Sequence, residues 1–235
     1  MNELTLIQAG PYSTVQDMGR IGQQALGVLE GGAMDKDALR IANKLAGNDE
    51  NTAALEFFMG SARLSVSTPR MVALAGSTND SAVIYCADDT ERPLASGQST
   101  CLMPDEELVL PPLRHANTVI IAVEGGFDLP PLFGSLSTSV NAKLGGLEGR
   151  LLVDGDALPL GKATTTSHLP QRLPDTSFFG LKQNIRCVSG PQNVWFTYEA
   201  HHTFFDSEWV ITPQVNRMGY RLKGPTLAHK SSADI

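Results

Sequence analysis

Apolar residues along this chain fall mostly in short runs separated by Gly, Pro, Ser, Asn and Asp. Leu4-Thr5-Leu6-Ile7 reads as a first strand ended by Gly10-Pro11. Thr14-Val15-Gln16 reads as a second that breaks at Asp17-Met18-Gly19-Arg20. From Ala54 to about Leu160 the pattern predicts strands at Ala62–Ser67, Met71–Ala75, Ser81–Cys86, Ser99–Met103, Glu107–Leu110 and Thr118–Val123. Separators such as Ser67-Thr68-Pro69 and Pro111-Pro112 carry turn chemistry. One strand and turn per roughly ten residues is the spacing of a barrel or sandwich.

Two stretches depart from this period. After Gly31-Gly32, Asp35 is placed to cap a helix on which Ala38, Ile41, Ala42 and Leu45 share a face, with Gly47 as its stop. A second helix is predicted over about 193–204, where Trp195, Tyr198 and His202 can share a face. Strands at Asn184–Val188 and Glu208–Thr212 flank it, and Arg217-Met218-Gly219-Tyr220-Arg221-Leu222 follows a polar turn. Residues 162–180 are rich in Ser, Thr and Pro without periodicity. The organisation expected is a β region over 1–165, a linker over 166–183, and the start of a second domain over 184–235.

Composition adds limits. The 22 glycines and 14 prolines favour a turn-rich, mainly β chain. A net charge of −7 argues against non-specific binding to nucleic acid or an anionic membrane. No apolar run approaches the ~18 residues of a transmembrane helix, and the N-terminus lacks the basic start and apolar core of a signal peptide. Cys86, Cys101 and Cys187 form neither a metal-type pair nor a disulfide framework. That suits a reducing cytoplasm, with all three expected as small buried side chains.

Familiar catalytic signatures are missing: there is no phosphate loop, nucleophile elbow, His-Glu-x-x-His or dinucleotide fingerprint. His201 and His202 are adjacent, so on a helix they point about 100° apart and cannot easily hold one ion. Asp17 and Arg20 flank a Met-Gly turn. They can pair as a turn staple, or the loop can present the guanidinium to a carboxylate, amide or phosphate oxygen. Glu56, between Ala53-Ala54-Leu55 and Phe57-Phe58, is a half-buried carboxylate, either paired or used in acid–base work. Asn43 beside an apolar helix face can bind backbone or a ligand amide. Arg150, Arg217 and Arg221, near glycines, join Arg20 as candidates for an anion pocket, and the polar run Ser135–Ser139 between two glycine loops reads as exposed.

Val15-Gln16-Asp17-Met18-Gly19-Arg20, Gly32-Ala33-Met34-Asp35, Ala38-Leu39-Arg40-Ile41-Ala42-Asn43, Gly47-Asn48 and Ala54-Leu55-Glu56 together resemble the signature of the allophanate hydrolase subunit 2 family. So do Gly125-Gly126-Phe127-Asp128, Gly146-Leu147-Glu148-Gly149-Arg150, Gly190-Pro191-Gln192 and Arg217-Met218-Gly219-Tyr220-Arg221-Leu222. That family includes KipA, the C subunit of bacterial 5-oxoprolinase and the carboxyltransferase part of urea amidolyase. The resemblance implies a mainly β protein of two cyclophilin-like β-barrel domains with a few short helices, the second cut short before a C-terminal motif that relatives carry. Relatives often have arginine and tyrosine where this chain has Leu136, Ser139 and Asn141.

The activity implied is that of a cytoplasmic, ATP-dependent 5-oxoprolinase hydrolysing 5-oxoproline to glutamate. Its partners would be a KipI-like protein and a LamB/YcsF-type protein, and its substrate a small-molecule amide. The alternatives are a carboxyltransferase component that uses biotin on a separate carrier, or a KipA-like regulatory partner of a kinase inhibitor. On this reading Arg20, Asp17 and Glu56 are the catalytic candidates. Asn43, Arg150, Asn216 and Arg217 are the substrate-binding candidates, and no metal is expected.

Overall fold

A computed structural model of the chain describes residues 2–77, 79–163, 169–180, 184–216 and 219–230. It forms two compact units, 1–180 and 181–235.

Among the described residues the first unit holds eleven strands: β1 (Glu3–Gln8), β2 (Ser13–Gln16), β3 (Ala54–Phe58), β4 (Ala62–Val66), β5 (Arg70–Ala75), β6 (Ser81–Tyr85), β7 (Glu91–Ala95), β8 (Gln98–Leu102), β9 (Glu107–Leu110), β10 (Thr118–Val123) and β11 (Ala157–Pro159). They build two antiparallel sheets. One has six strands in the order β11-β1-β4-β9-β6-β7, and the other five in the order β2-β3-β10-β5-β8. Alternation along the strands sorts the side chains. Leu4 and Leu6 of β1, Leu64 of β4, Leu55 and Phe57 of β3 and Val119 and Ile121 of β10 meet in one core.

The opposite face of the five-stranded sheet is also buried. Ala54, Ala73, Ala75, Ile120 and Ala122 receive the apolar face of α1 (Lys36–Leu45), through Ala38, Leu39, Ala42 and Leu45. Small alanines on the sheet let the helix sit close. The helix begins where the sequence predicts: the Asp35 carboxylate accepts the Ala38 N–H at 2.8 Å. It ends at Ala46 with Gly47 at φ +81°.

β7 and β11, like β3, lie outside the strands that the sequence pattern predicts. β7 carries Pro93 and the charged Glu91-Arg92, but it is the last strand of its sheet, where a missing N–H on the outer side costs no ladder bond. β11 is short and pairs with β1 directly after the Asp154-Gly155-Asp156 turn. The Ser/Thr/Pro-rich stretch packs on β8 within its described part. Ser99 N–H donates to the Gln171 carbonyl and Leu173 N–H to that of Gly97.

In the second unit a 3-10 turn (Asn193–Trp195) precedes α2 (Tyr198–Asp206), and β12 (Val210–Asn216) pairs with β13 (Gly219–Lys223). The predicted helix is thus split. Thr197 caps α2 by accepting the Ala200 N–H, so Trp195 lies outside the helix while the Tyr198 and His202 rings meet edge to face with centroids 4.4 Å apart. The expected strand at Asn184–Val188 is not formed; this stretch is exposed and pairs with nothing in a ladder. Cys187 is exposed as well, and Cys86 and Cys101 are half-buried, so none of the three is the buried thiol expected. Among the described residues no helix is long and apolar enough to cross a membrane.

Candidate functional site

β2 is the outer strand of the five-stranded sheet, and a distant segment covers its open side. Thr138 donates both its N–H and its hydroxyl to the Val15 carbonyl, at 2.9 and 3.0 Å. Strand periodicity puts Thr14 and Gln16 on the face shared with α1, and Glu56 lies opposite Thr14 in the register. Side chains that would ordinarily be wet are therefore enclosed together. Thr14, Gln16, Asp17, Arg20, Glu56, Ser135, Ser137 and Thr138 are all buried. A polar cluster this dense at one edge of a sheet is where local sequence preference gives way to another requirement.

Asp17 organises the cluster. Its Oδ1 accepts from Gly19 N–H at 2.8 Å and from the Ser135 and Ser137 hydroxyls at 2.7 Å each. Its Oδ2 accepts from Leu136 N–H at 2.6 Å. Four donors satisfy the carboxylate and tie the 135–137 segment to the loop after β2.

Arg20 does not close an ion pair with Asp17, as the turn-staple reading would have it. Its Nη2 donates to the Ser137 carbonyl instead, while Nε and Nη1 have no protein partner among the described residues. The side chain is 1% exposed. Burial lowers its pKa from the ordinary arginine value, and the Asp17 charge opposes that shift. Gly31 and Gly145 flank the guanidinium: a Cβ at Gly31 would lie 3.5 Å from Nη1, and one at Gly145 would collide with Nη2 and the Ser137 carbonyl.

Glu56 sits on β3 with Oε2 accepting the Met34 N–H at 2.7 Å, which fixes the turn leading into α1. Asn43 is fully enclosed and serves the chain. Its amide nitrogen donates to the Thr52 carbonyl at 2.7 Å and its oxygen accepts from Asn48 at 3.1 Å. Arg150 stands apart from these groups, clamped to Asp156 by bonds of 2.7 and 2.9 Å. The Asp156 carboxylate raises the Arg150 pKa, and the guanidinium lowers that of Asp156. Asn216 ends β12 in the second unit, its side chain outside the description. Arg217 lies outside the described residues.

Residues 26–235 match the family described as carboxyltransferase domain, subdomain A and B. The chain belongs to this family.

Among relatives of this carboxyltransferase domain, the 5-oxoprolinase C subunit of Escherichia coli is 38% identical over 99% of the chain. The protein of that name from Haemophilus influenzae is 30% identical over 99%. The chain spans 72% of the length of each. Among solved structures, the Kluyveromyces lactis urea amidolyase superposes with a TM-score of 0.84 at 26% identity, covering 98% of this chain and 14% of that one.

Gln16, Ser135, Ser137 and Thr138 belong to the buried cluster of this carboxyltransferase domain, yet the sequence reading left them out. The expectation that Ser135–Ser139 is exposed fails because its hydroxyls answer a carboxylate 118 to 120 positions earlier in the chain. A signal was present: residues two apart in an extended segment face the same way, so Ser135 and Ser137 could be read as a matched pair seeking one acceptor.

Proposed function

We propose that this chain is a subunit of a 5-oxoprolinase, a hydrolase complex that opens the lactam of 5-oxoproline to glutamate. The 38% identity to the E. coli protein across 99% of the chain supports the reading most directly. The buried polar cluster suits the chemistry. Attack on a lactam carbonyl builds negative charge on its oxygen, and a guanidinium sealed from water stabilises such charge better than one in solvent. Arg20 is the electrostatic group on this reading. Asp17 positions it by holding the 135–137 segment, Glu56 fixes the turn beside it, and Asn43 and Arg150 support the frame. ATP would activate the amide oxygen, with the nucleotide handled by a KipI-like protein and a LamB/YcsF-type protein.

The test is reconstitution of the chain with both partner proteins, 5-oxoproline and ATP. Glutamate formation tied to ATP hydrolysis is the expected result. Its absence with every component folded and associated refutes the proposal.

The likeness to urea amidolyase at a TM-score of 0.84 favours a second reading, transfer of a carboxyl group from carboxybiotin to urea or a related amide. Incubation with carboxybiotin and urea would yield a carboxylated product under this reading alone.

A further inference from the structure

Two loops next to the buried cluster turn apolar side chains outward, and both are rooted on Asp17. The first, residues 21–29, leaves the chain directly after Arg20. Two backbone bonds close its base: Arg20 N–H donates to the Glu30 carbonyl at 2.7 Å, and Ala33 N–H to that of Asp17 at 2.9 Å. Around its 3-10 turn (Gln24–Leu26), Ile21 and Leu26 are each 72% exposed and Leu29 is exposed as well. The second loop is the two-residue turn Phe133-Gly134, closed by Leu132 and Ser135, which exchange backbone bonds of 2.9 and 3.2 Å. The Ser135 hydroxyl donates to the Asp17 carboxylate at 2.7 Å, and Gly19 N–H donates to the same oxygen at 2.8 Å. One carboxylate therefore stands at the foot of both loops.

Phe133 is out of place by local preference. Its φ is +52° and that of Gly134 is +76°, the two left-handed conformations of a type I′ turn. Asn or Gly is at ease in the first position, whereas a bulky aromatic is strained there. The ring gains little from its own chain in return, being 51% exposed. A local preference overridden without a compensating contact inside the chain points to a contact outside it. Neither loop carries a charge: residues 21–29 are Ile-Gly-Gln-Gln-Ala-Leu-Gly-Val-Leu and residues 129–134 are Leu-Pro-Pro-Leu-Phe-Gly. The exposed side of α1, with Asp37, Arg40 and Lys44, is charged by contrast.

We propose that these two loops are the docking surface for another protein subunit of the hydrolase, one that presents an apolar, uncharged hollow to Leu26 and Phe133. This rests on the reading of the chain as a subunit, which the name of the E. coli relative supports. The kind of partner follows from the chemistry. A charge in the hollow would lose its water against these side chains and find no counter-charge. A protruding aromatic at the centre of an uncharged patch is the usual anchor of a protein interface. A membrane is disfavoured, because neither loop holds a Lys or Arg to meet anionic headgroups. A second copy is disfavoured by the net charge of −7 that each chain would bring. Because both loops are rooted on Asp17, the docked subunit sits beside the buried cluster and bears on it.

The test measures binding of the chain to each of the two partner proteins of the reconstitution by biolayer interferometry. One of them should bind the parent chain. Leu26→Asp and Phe133→Asn should each weaken that binding at least tenfold, while Tyr85→Ser, at an exposed position of β6, should leave it unchanged. Phe133→Asn carries a second readout, because an Asn-Gly turn relieves the strain: its melting temperature should equal or exceed that of the parent even as binding is lost. A lowered melting temperature in this variant assigns the ring a structural role and overturns the proposal. Binding that either loop variant leaves unchanged overturns it too, and glutamate production by the reconstituted complex would then leave the proposed function standing without this surface. A dimer of the chain, or adhesion to phosphatidylcholine vesicles, that the loop variants abolish would assign the loops to another occupant and overturn it as well. If neither protein binds the parent chain, this proposal and the proposed function fall together.

Discussion

Replacing Asp17 by Asn probes the cluster most economically, because the exchange alters charge and one hydrogen-bond polarity with little change of shape. If the amide oxygen takes the Oδ1 place, it keeps the Gly19, Ser135 and Ser137 donors. The amide nitrogen then faces the Leu136 N–H, donor against donor, where the carboxylate accepted at 2.6 Å. Losing a bond to a charged acceptor and leaving a buried donor unserved costs about 2–3 kcal/mol, and the three remaining bonds weaken from charged to neutral strength. A total near ~3 kcal/mol is expected, which lowers the melting temperature by about 6–12 °C for a domain of this size. Calorimetry is the suitable assay, since both tryptophans, Trp195 and Trp209, belong to the second unit and would not report on this site. Hydrogen exchange should accelerate at Leu136 and Thr138 in particular. A variant within about 0.5 kcal/mol of the parent, the usual range of surface changes, would refute the view that Asp17 organises the cluster.

The Arg150–Asp156 clamp should show a coupling of about 1–2 kcal/mol in a double-mutant cycle of Arg150→Met and Asp156→Asn, reduced from the buried-pair range because Arg150 is partly exposed. Asp156 has a folded-state pKa below that of the free carboxyl, so its contribution is complete above the ordinary carboxylate value and is lost as the pH falls through that value toward the depressed one. Urea titrations between about pH 6 and pH 3 should show this loss in the parent and not in Asp156→Asn. Gly145→Ala should destabilise by more than about 1 kcal/mol, since φ is +69° and the new methyl meets the Arg20 guanidinium and the Ser137 carbonyl. Thermal unfolding checks this. Asn48→Leu should cost about 1–3 kcal/mol by leaving the Gly125 N–H unserved and the Val123 carbonyl with the Gly126 N–H alone, measured by urea unfolding.

What could be read in advance follows the range of the interactions. The bounds of α1 were legible because cap, apolar face and glycine stop lie within a dozen neighbouring positions. β9 and β10 were legible because their burial alternates or runs unbroken within a few residues. β7 was hidden by Pro93, whose tolerance depends on being at the sheet margin, a fact set by strand order. At the site, Asp17, Arg20 and Glu56 stood out as polar residues in an apolar or glycine-rich setting. Their partners did not. Ser137 and Thr138 acquire their roles only when a segment more than a hundred residues later lies against β2, and no local pattern announces that. The split of the second helix turned on Thr197, which caps α2 within the predicted span.

The manner in which the five-stranded sheet ends has a consequence for assembly. At β2 the outer edge is taken by Thr138 and by Leu152, whose N–H donates to the Ser13 carbonyl. At β8 it is taken by the 171–173 stretch. Neither margin offers a free ladder to a strand from another molecule. A protein built this way can be synthesised ahead of its partners without its sheet seeding filaments. Recruitment of those partners must then proceed through side chains and loops instead of by extending this sheet.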